Sequence, residues 1–167
     1  MTQIGPGPAG ASRLGSAARV RLFLEAHGLA DEIVHFAEST KTAQMAADAM
    51  GCELGQIVKS LVFVVDETPV LALVAGDRRG DGEVIAREAG GSSARFADAE
   101  TVREATGYAI GGVSPFDLPP DLLVLADESL GRYEIVYPAA GTPSSMVRMT
   151  FDRLLEVTGA RLAAVGR

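Results

Sequence analysis

Residues 61–75 read LVFVVDETPVLALVA: two β-branched, apolar runs separated by a short polar break. The runs look like buried strands, and DETP between them reads as the reversal of a hairpin. Neither run approaches the ~20 residues a membrane helix needs. A chain with this hairpin at its centre must supply other elements to cover it. With 167 residues, 47% of them hydrophobic and 22% charged, it has enough material for one well-filled core and too little for two ordinary domains.

The flanking sequence supplies short elements of both kinds. SAARVRLFLEAHG, between Gly15 and Gly28, has helical spacing at Val20, Leu22, Phe23 and Leu24. IVHFAE (33–38) reads as a strand, and STKTAQMAADAMG (39–51) as a hydroxyl-capped helix stopped by glycine. EVIAREAG (83–90) and DAETVREATG (98–107) predict two more helices. DLLVLADESLG (121–131) predicts a strand and a turn. YEIVYPAAG (133–141) and SMVRM (145–149) predict strands, FDRLLEVTG (151–159) a helix and RLAAV (161–165) a final strand. This irregular order is not the strand–helix alternation of a doubly wound nucleotide-binding fold. The expected class is α/β: a single domain with a mixed, strongly curved, barrel-like sheet and surrounding short helices.

The first 13 residues, rich in Gly, Pro and Ala, predict a flexible tail, leaving 14–167 as the domain. GPGPAG (5–10) fits the dinucleotide pattern G-x-G-x-x-G, yet it follows no strand and contains two prolines, so no cofactor is expected from it. The same segment lacks the basic-then-apolar pattern of a signal peptide. A lone cysteine, Cys52, excludes an internal disulfide and makes the cytoplasm the simplest compartment. The net charge of −7 excludes sequence-blind wrapping of nucleic acid and disfavours a DNA-binding regulator, while leaving room for a local contact with one end of an RNA.

The chemistry-bearing residues are few. His27 and His35 lie on different elements, and no cysteine–histidine spacing predicts a metal site. Cys52 has no partner histidine and reads as a packing residue. Lys59, one of only two lysines, stands in GQIVKSLVFVV at the mouth of the most apolar strand. It is either the ordinary polar end of a strand or an ammonium aimed into a pocket, where it would hold a carbonyl or phosphate oxygen. GYAIGGVSPFDLP (107–119) brings Gly111 and Gly112 close to Pro115. It is either a plain turn or a backbone nest, in which successive N–H groups bind an anion or a carbonyl.

Four blocks in this order, CELGQIVKSLVF (52–63), GYAIGGVSPFDLP (107–119), LADESLG (125–131) and AAGTPSSMVRMT (139–150), closely resemble the YbaK/EbsC family, the ProX-type or prolyl-tRNA-synthetase-associated domain. The resemblance spans roughly residues 15–165. It implies an editing domain that hydrolyses aminoacyl-tRNA carrying the wrong amino acid, acting in trans. It matches Lys59 to the family's lysine, Gly111–Pro115 to its G-x-x-x-P loop, and the segment from Ser39 to Thr42 to a pocket-lining region. Asp127 falls in its acidic block and Gly141 in its glycine turn. Lys59, Gly111 and Gly112 are therefore the expected catalytic residues. Ser39, Thr40, Val113, Ser114, Pro115, Asp127 and Gly141 are the expected substrate-binding ones.

Two departures bear on specificity. Members resembling the cysteinyl-tRNA editors carry Ser and Asp where this chain aligns Ala139 and Met146. Related sequences place Gly-His after the Pro-Phe of the loop, where this chain has Asp117 and no histidine. The resemblance implies the acceptor end of tRNA as the contact, and the small and β-branched residues near Thr40, Val113 and Ser114 predict a pocket for a small amino acid, Ala, Ser or Thr. The acidic balance predicts weak intrinsic affinity for tRNA, so an elongation factor or an aminoacyl-tRNA synthetase is expected to help deliver it. The competing reading is a non-catalytic module that holds tRNA or a synthetase, since fold alone does not carry function.

Overall fold

Helix α1 (Ser16–Ala26) opens the part of the chain, residues 15–167, that the computed structural model describes; the tail expected at 1–13 lies outside the described residues. It leads through a single 3₁₀ turn into strand β1 (Ile33–His35). Helix α2 (Ala43–Met50) starts where the Thr42 hydroxyl accepts the Met45 N–H at 3.1 Å, the capping role its hydroxyl-rich approach predicts. Strands β2 (Ile57–Val65) and β3 (Thr68–Ala75) form the expected hairpin. Helix α3 (Gly82–Glu88), strand β4 (Ala94–Phe96) and helix α4 (Ala99–Thr106) follow. The second half holds β5 (Leu123–Asp127), β6 (Ile135–Pro138), β7 (Ser145–Val147) and β8 (Met149–Thr150). Helix α5 (Phe151–Thr158), capped by Thr150, and β9 (Arg161–Ala163) end it.

The hairpin is longer and tighter than its apolar runs indicate. Its reversal takes two residues, Asp66 and Glu67, with φ of +45° and +77°, while Thr68 and Pro69 already belong to β3. Two left-handed residues match the twist of the flanking strands. Neither is a glycine, so the turn needs support. The Asp66 carboxylate supplies it by accepting the N–H groups of Ser92 at 2.8 Å and Ser93 at 3.2 Å.

The hairpin then organises a curled, mixed sheet in the order β8-β6-β2-β3-β5-β9. One edge of β2 pairs with β3 along its length. The other edge is divided: Ile57 and Val58 run parallel to Tyr137 and Pro138 of β6, and Phe63–Val65 run antiparallel to β4. Strands β1 and β7 pair separately, Val34 facing Met146.

Alternation along the hairpin buries both faces. Val58, Val62, Val64, Leu71 and Leu73 join α1, α5, Tyr108 and Phe116 in the main core. Phe63, Val65, Val70, Ala72 and Val74 pack with Ile85 and Ala86 of α3 and with Leu125. A third cluster sets Ala46 and Ala47 of α2 against Ile57 and Met146. Each fully buried apolar side chain stabilises the fold by roughly 1.5–3 kcal/mol.

Candidate active site

Several of the singled-out segments converge on the turn between β6 and β7. Pro138 lies in register beside Val58, which brings the start of β2 to this turn. The Phe36 N–H donates to the Ser144 carbonyl at 2.8 Å. Thr40 donates twice to the Pro143 carbonyl, from its N–H at 2.7 Å and its hydroxyl at 3.0 Å. From the opposite side, the Ser114 hydroxyl donates to the Ala139 carbonyl at 2.8 Å. The glycine loop and the 39–42 segment are thus tied to one turn. Gly141 shapes that turn: its φ is +95°, and a Cβ there would lie 2.6 Å from the Ser16 carbonyl oxygen. Its role is to let the turn pass close under α1.

The glycine loop presents backbone at its tip. Gly111 and Gly112 are exposed, whereas Val113, Ser114, Pro115 and Phe116 are buried. The φ of Gly111 is +84°, a region that favours glycine. The Gly112 N–H donates to the Ala109 carbonyl at 2.9 Å and so closes a turn. The N–H groups of Gly111 and Val113 make no hydrogen bond among the described residues. The two N–H groups without a partner among the described residues therefore flank Gly112, unlike the two successive glycine amides expected. A Cβ on Gly112 would meet only the Ala109 carbonyl oxygen, at 3.6 Å, an ordinary contact. Of the residues expected to line the substrate, Val113 packs in the main core and the Ser114 hydroxyl donates to the Ala139 carbonyl.

Lys59 is the third residue of β2, half-buried on the opposite face from Val58 and Val62. Its ammonium donates to the Arg78 carbonyl at 2.5 Å. Burial pulls its pKa below the ordinary lysine value; nearby Asp77 opposes this and Arg79 adds to it. Asp77 is itself held by Arg132, at 2.8 and 3.0 Å, chiefly through that hydrogen bonding, which keeps its carboxyl below the usual range. A lysine ammonium has three N–H groups, so two are left for a ligand. The neighbouring Ser60 was not singled out by its sequence setting. Its Oγ is buried with no hydrogen-bond partner among the described residues. A hydroxyl among apolar strand residues was the one available signal.

Other candidates serve the fold. Asp127 is 1% exposed. Its carboxylate accepts the Gly166 N–H at 2.7 Å, the Ser129 N–H at 3.2 Å and the Ser129 hydroxyl. It closes the turn after β5 and pins the C-terminal segment, with both carboxylate oxygens engaged in the fold. Burial pushes the Cys52 thiol above its ordinary pKa, which disfavours the thiolate a nucleophile needs. His27 Nδ1 lies 2.9 Å from the Phe23 carbonyl oxygen, with its ring stacked on Phe23. Among the described residues, no group of His, Cys, Asp and Glu is clustered for a metal.

A single domain built on a curled mixed sheet is the fold of an editing-type domain. A family profile described as the aminoacyl-tRNA editing domain matches residues 37–157. The chain belongs to this family, of YbaK/EbsC type. It is 33% identical over 123 residues to the Escherichia coli K12 protein named multifunctional Ser/Thr-tRNA deacylase ProXp-y, covering 70% of this chain and 74% of that one. It is 26% identical over 131 residues to EbsC of Enterococcus faecalis, provisionally named a Cys-tRNA(Pro)/Cys-tRNA(Cys) deacylase, covering 78% and 80%. A crystal structure provisionally described as a trans-editing enzyme for prolyl tRNA synthetase superposes with a TM-score of 0.83 at 44% identity, over 91% of this chain and 97% of that one.

Proposed function

We propose that the protein is a trans-editing aminoacyl-tRNA deacylase, and that the 14–167 domain hydrolyses the ester of tRNA mischarged with Ala, Ser or Thr. The observation that carries this reading is a loop with an exposed Gly111–Gly112 tip, flanked by the Gly111 and Val113 N–H groups that make no hydrogen bond among the described residues, in a chain of the editing family. In the reaction, water adds to the ester carbonyl carbon, assisted by the free hydroxyl of the terminal ribose. The acyl–oxygen bond breaks, the ribose oxygen takes a proton, and the amino acid leaves as its carboxylate. Negative charge develops on the carbonyl oxygen, and fixed backbone N–H donors stabilise it. One such donor is worth about 10²–10³ in rate. Positioning supplies much of the rest. No protein nucleophile is required.

Lys59 holds the terminal phosphate or the carbonyl as a point charge through the N–H groups that Arg78 leaves free. Ser39 and Thr40 contact the substrate from the segment that Thr40 ties to the Pro143 carbonyl. Ala139 and Met146 favour the Ser/Thr type of substrate over the cysteinyl one. The acceptor end of tRNA is the contact, and an elongation factor or a synthetase delivers it in the cytoplasm. Among the described residues, no helix is long and apolar enough to cross a membrane.

The test is deacylation of tRNA charged separately with Ala, Ser, Thr, Cys, Pro and Phe. Turnover of one or more of the first three, with Phe-tRNA untouched, is expected. Stoichiometric binding with no turnover of any would favour the non-catalytic module.

A further inference from the structure

We propose that Arg19 and Asp117 are positioning residues that set the glycine loop for the editing step, a role that rests on the loop being the active one. Arg19 lies on α1, outside the site, and is only 6% exposed. Its guanidinium gathers both ends of the loop. At the near end it donates to the Gly107 carbonyl at 3.0 Å and the Thr106 carbonyl at 3.4 Å. At the far end it donates to the Asp117 carbonyl at 2.7 Å and, through Nε, to the Asp117 carboxylate at 3.0 Å. It also lies over the Tyr108 ring, 4.2 Å from the centroid, while the Tyr108 hydroxyl donates to the Phe116 carbonyl at 2.5 Å. A buried guanidinium is costly unless its donors are satisfied, and here the loop's own backbone satisfies it.

Two details mark this as a built device. Gly107 makes room for it, since a Cβ there would lie 2.7 Å from Arg19 Nη1. Asp117 sits at φ +57°, a left-handed conformation that costs an L-residue energy. The chain bears that strain and gains a carboxylate facing Arg19. The clamp closes the base of a loop whose tip has no side chains to hold it. Transition-state donors at Gly111 and Val113 depend on that base, because a misplacement of about 1 Å costs on the order of 10²-fold in rate.

The decisive variant is Asp117→Gly. It relieves the backbone strain and leaves Arg19 three carbonyl partners, so the fold is kept. ¹⁵N relaxation then reads the loop, and single-turnover kinetics on the charged tRNA that the wild type hydrolyses reads the chemistry. The order parameters of Gly111 and Gly112 are expected to fall from the rigid range near ~0.85 to below ~0.6. The catalytic rate is expected to fall at least ~10-fold, with KM within about twofold of wild type. Asp117→Asn, which tolerates the left-handed backbone and still offers Arg19 an oxygen, restores most of both. Unchanged order parameters in Asp117→Gly would overturn the clamp, as would an unchanged rate. Should the wild type hydrolyse no charged tRNA, the proposed activity falls and the order parameters alone decide the clamp.

Discussion

Lys59 and Gly111 are both residues of the proposed reaction, and they are held in opposite ways. Lys59 rides on β2, whose backbone is paired to β3 on one edge, next to Val74 on the neighbouring strand. Its location follows from the central sheet, and only its ammonium is free to choose a partner. Gly111 stands at the tip of a loop with no ladder at all, fixed by side chains that arrive from elsewhere: Ser114 to the 139 carbonyl, Tyr108 to the 116 carbonyl, Arg19 to both ends. The strand delivers charge and the loop delivers N–H donors. Changes on the strand side should remove chemistry and spare the fold, whereas the loop couples fold and chemistry through its anchors.

Tyr108 gives the largest effect, on the loop side. Burial is the main cause that pushes its pKa from 10.0 up to about 12, with Arg19 opposing and Asp117 adding. Below pH 10 the folded and unfolded chains are both protonated here, so the stabilisation is fully present. Between pH 10 and 12 the unfolded chain ionises first, and stability falls as pH rises, by roughly 3 kcal/mol over the two units. Denaturant unfolding should show the advantage of wild type over Tyr108→Phe shrinking across that window. A constant difference from pH 9 to 12 would mean that the hydroxyl titrates normally.

Lys59→Ala comes next and probes the strand side. We expect deacylation to drop at least ~10-fold, about 1.4 kcal/mol of transition-state stabilisation, with the melting temperature nearly unchanged. Wild-type turnover by the folded variant would take Lys59 out of the site. Gly111→Ala is smaller in stability: at φ +84° and with open space around its Cβ, it should cost about 1 kcal/mol, all of it backbone strain. A cost near zero by denaturant titration would show that the loop tip relaxes freely. The smallest effect is that of chelation. With no ligand cluster among the described residues, EDTA and dialysis should leave activity intact. Loss of activity restored by one equivalent of zinc would contradict this.

Legibility in the sequence followed the same divide. The hairpin and the capped helix starts after the 39–42 hydroxyls and at Asp98 were readable because alternation and capping are local. Strand β4 was not: Ala94–Phe96 is three residues long, Phe96 is exposed, and only pairing with Phe63–Val65 makes it a strand. Lys59 and the glycine loop stood out through resemblance in order and spacing, not through their own residue types. Asp127 looked like a ligand because nothing nearby in sequence announces that Gly166 will come to its carboxylate. Nothing in the local pattern of the first helix singles out Arg19. Its burial depends on Gly107, 88 positions away.

The central claim is that backbone at the loop tip, unaided by a protein nucleophile, holds the ester during hydrolysis. Gly112→Ala tests it most directly, since the added methyl fits the folded protein without strain and stands at the exposed loop tip proposed to approach the ester. The measurement is single-turnover hydrolysis of Ser-tRNA by this variant beside its melting temperature. The account predicts a loss of at least ~10-fold in rate with stability unchanged. A full rate in a stably folded Gly112→Ala protein would contradict it.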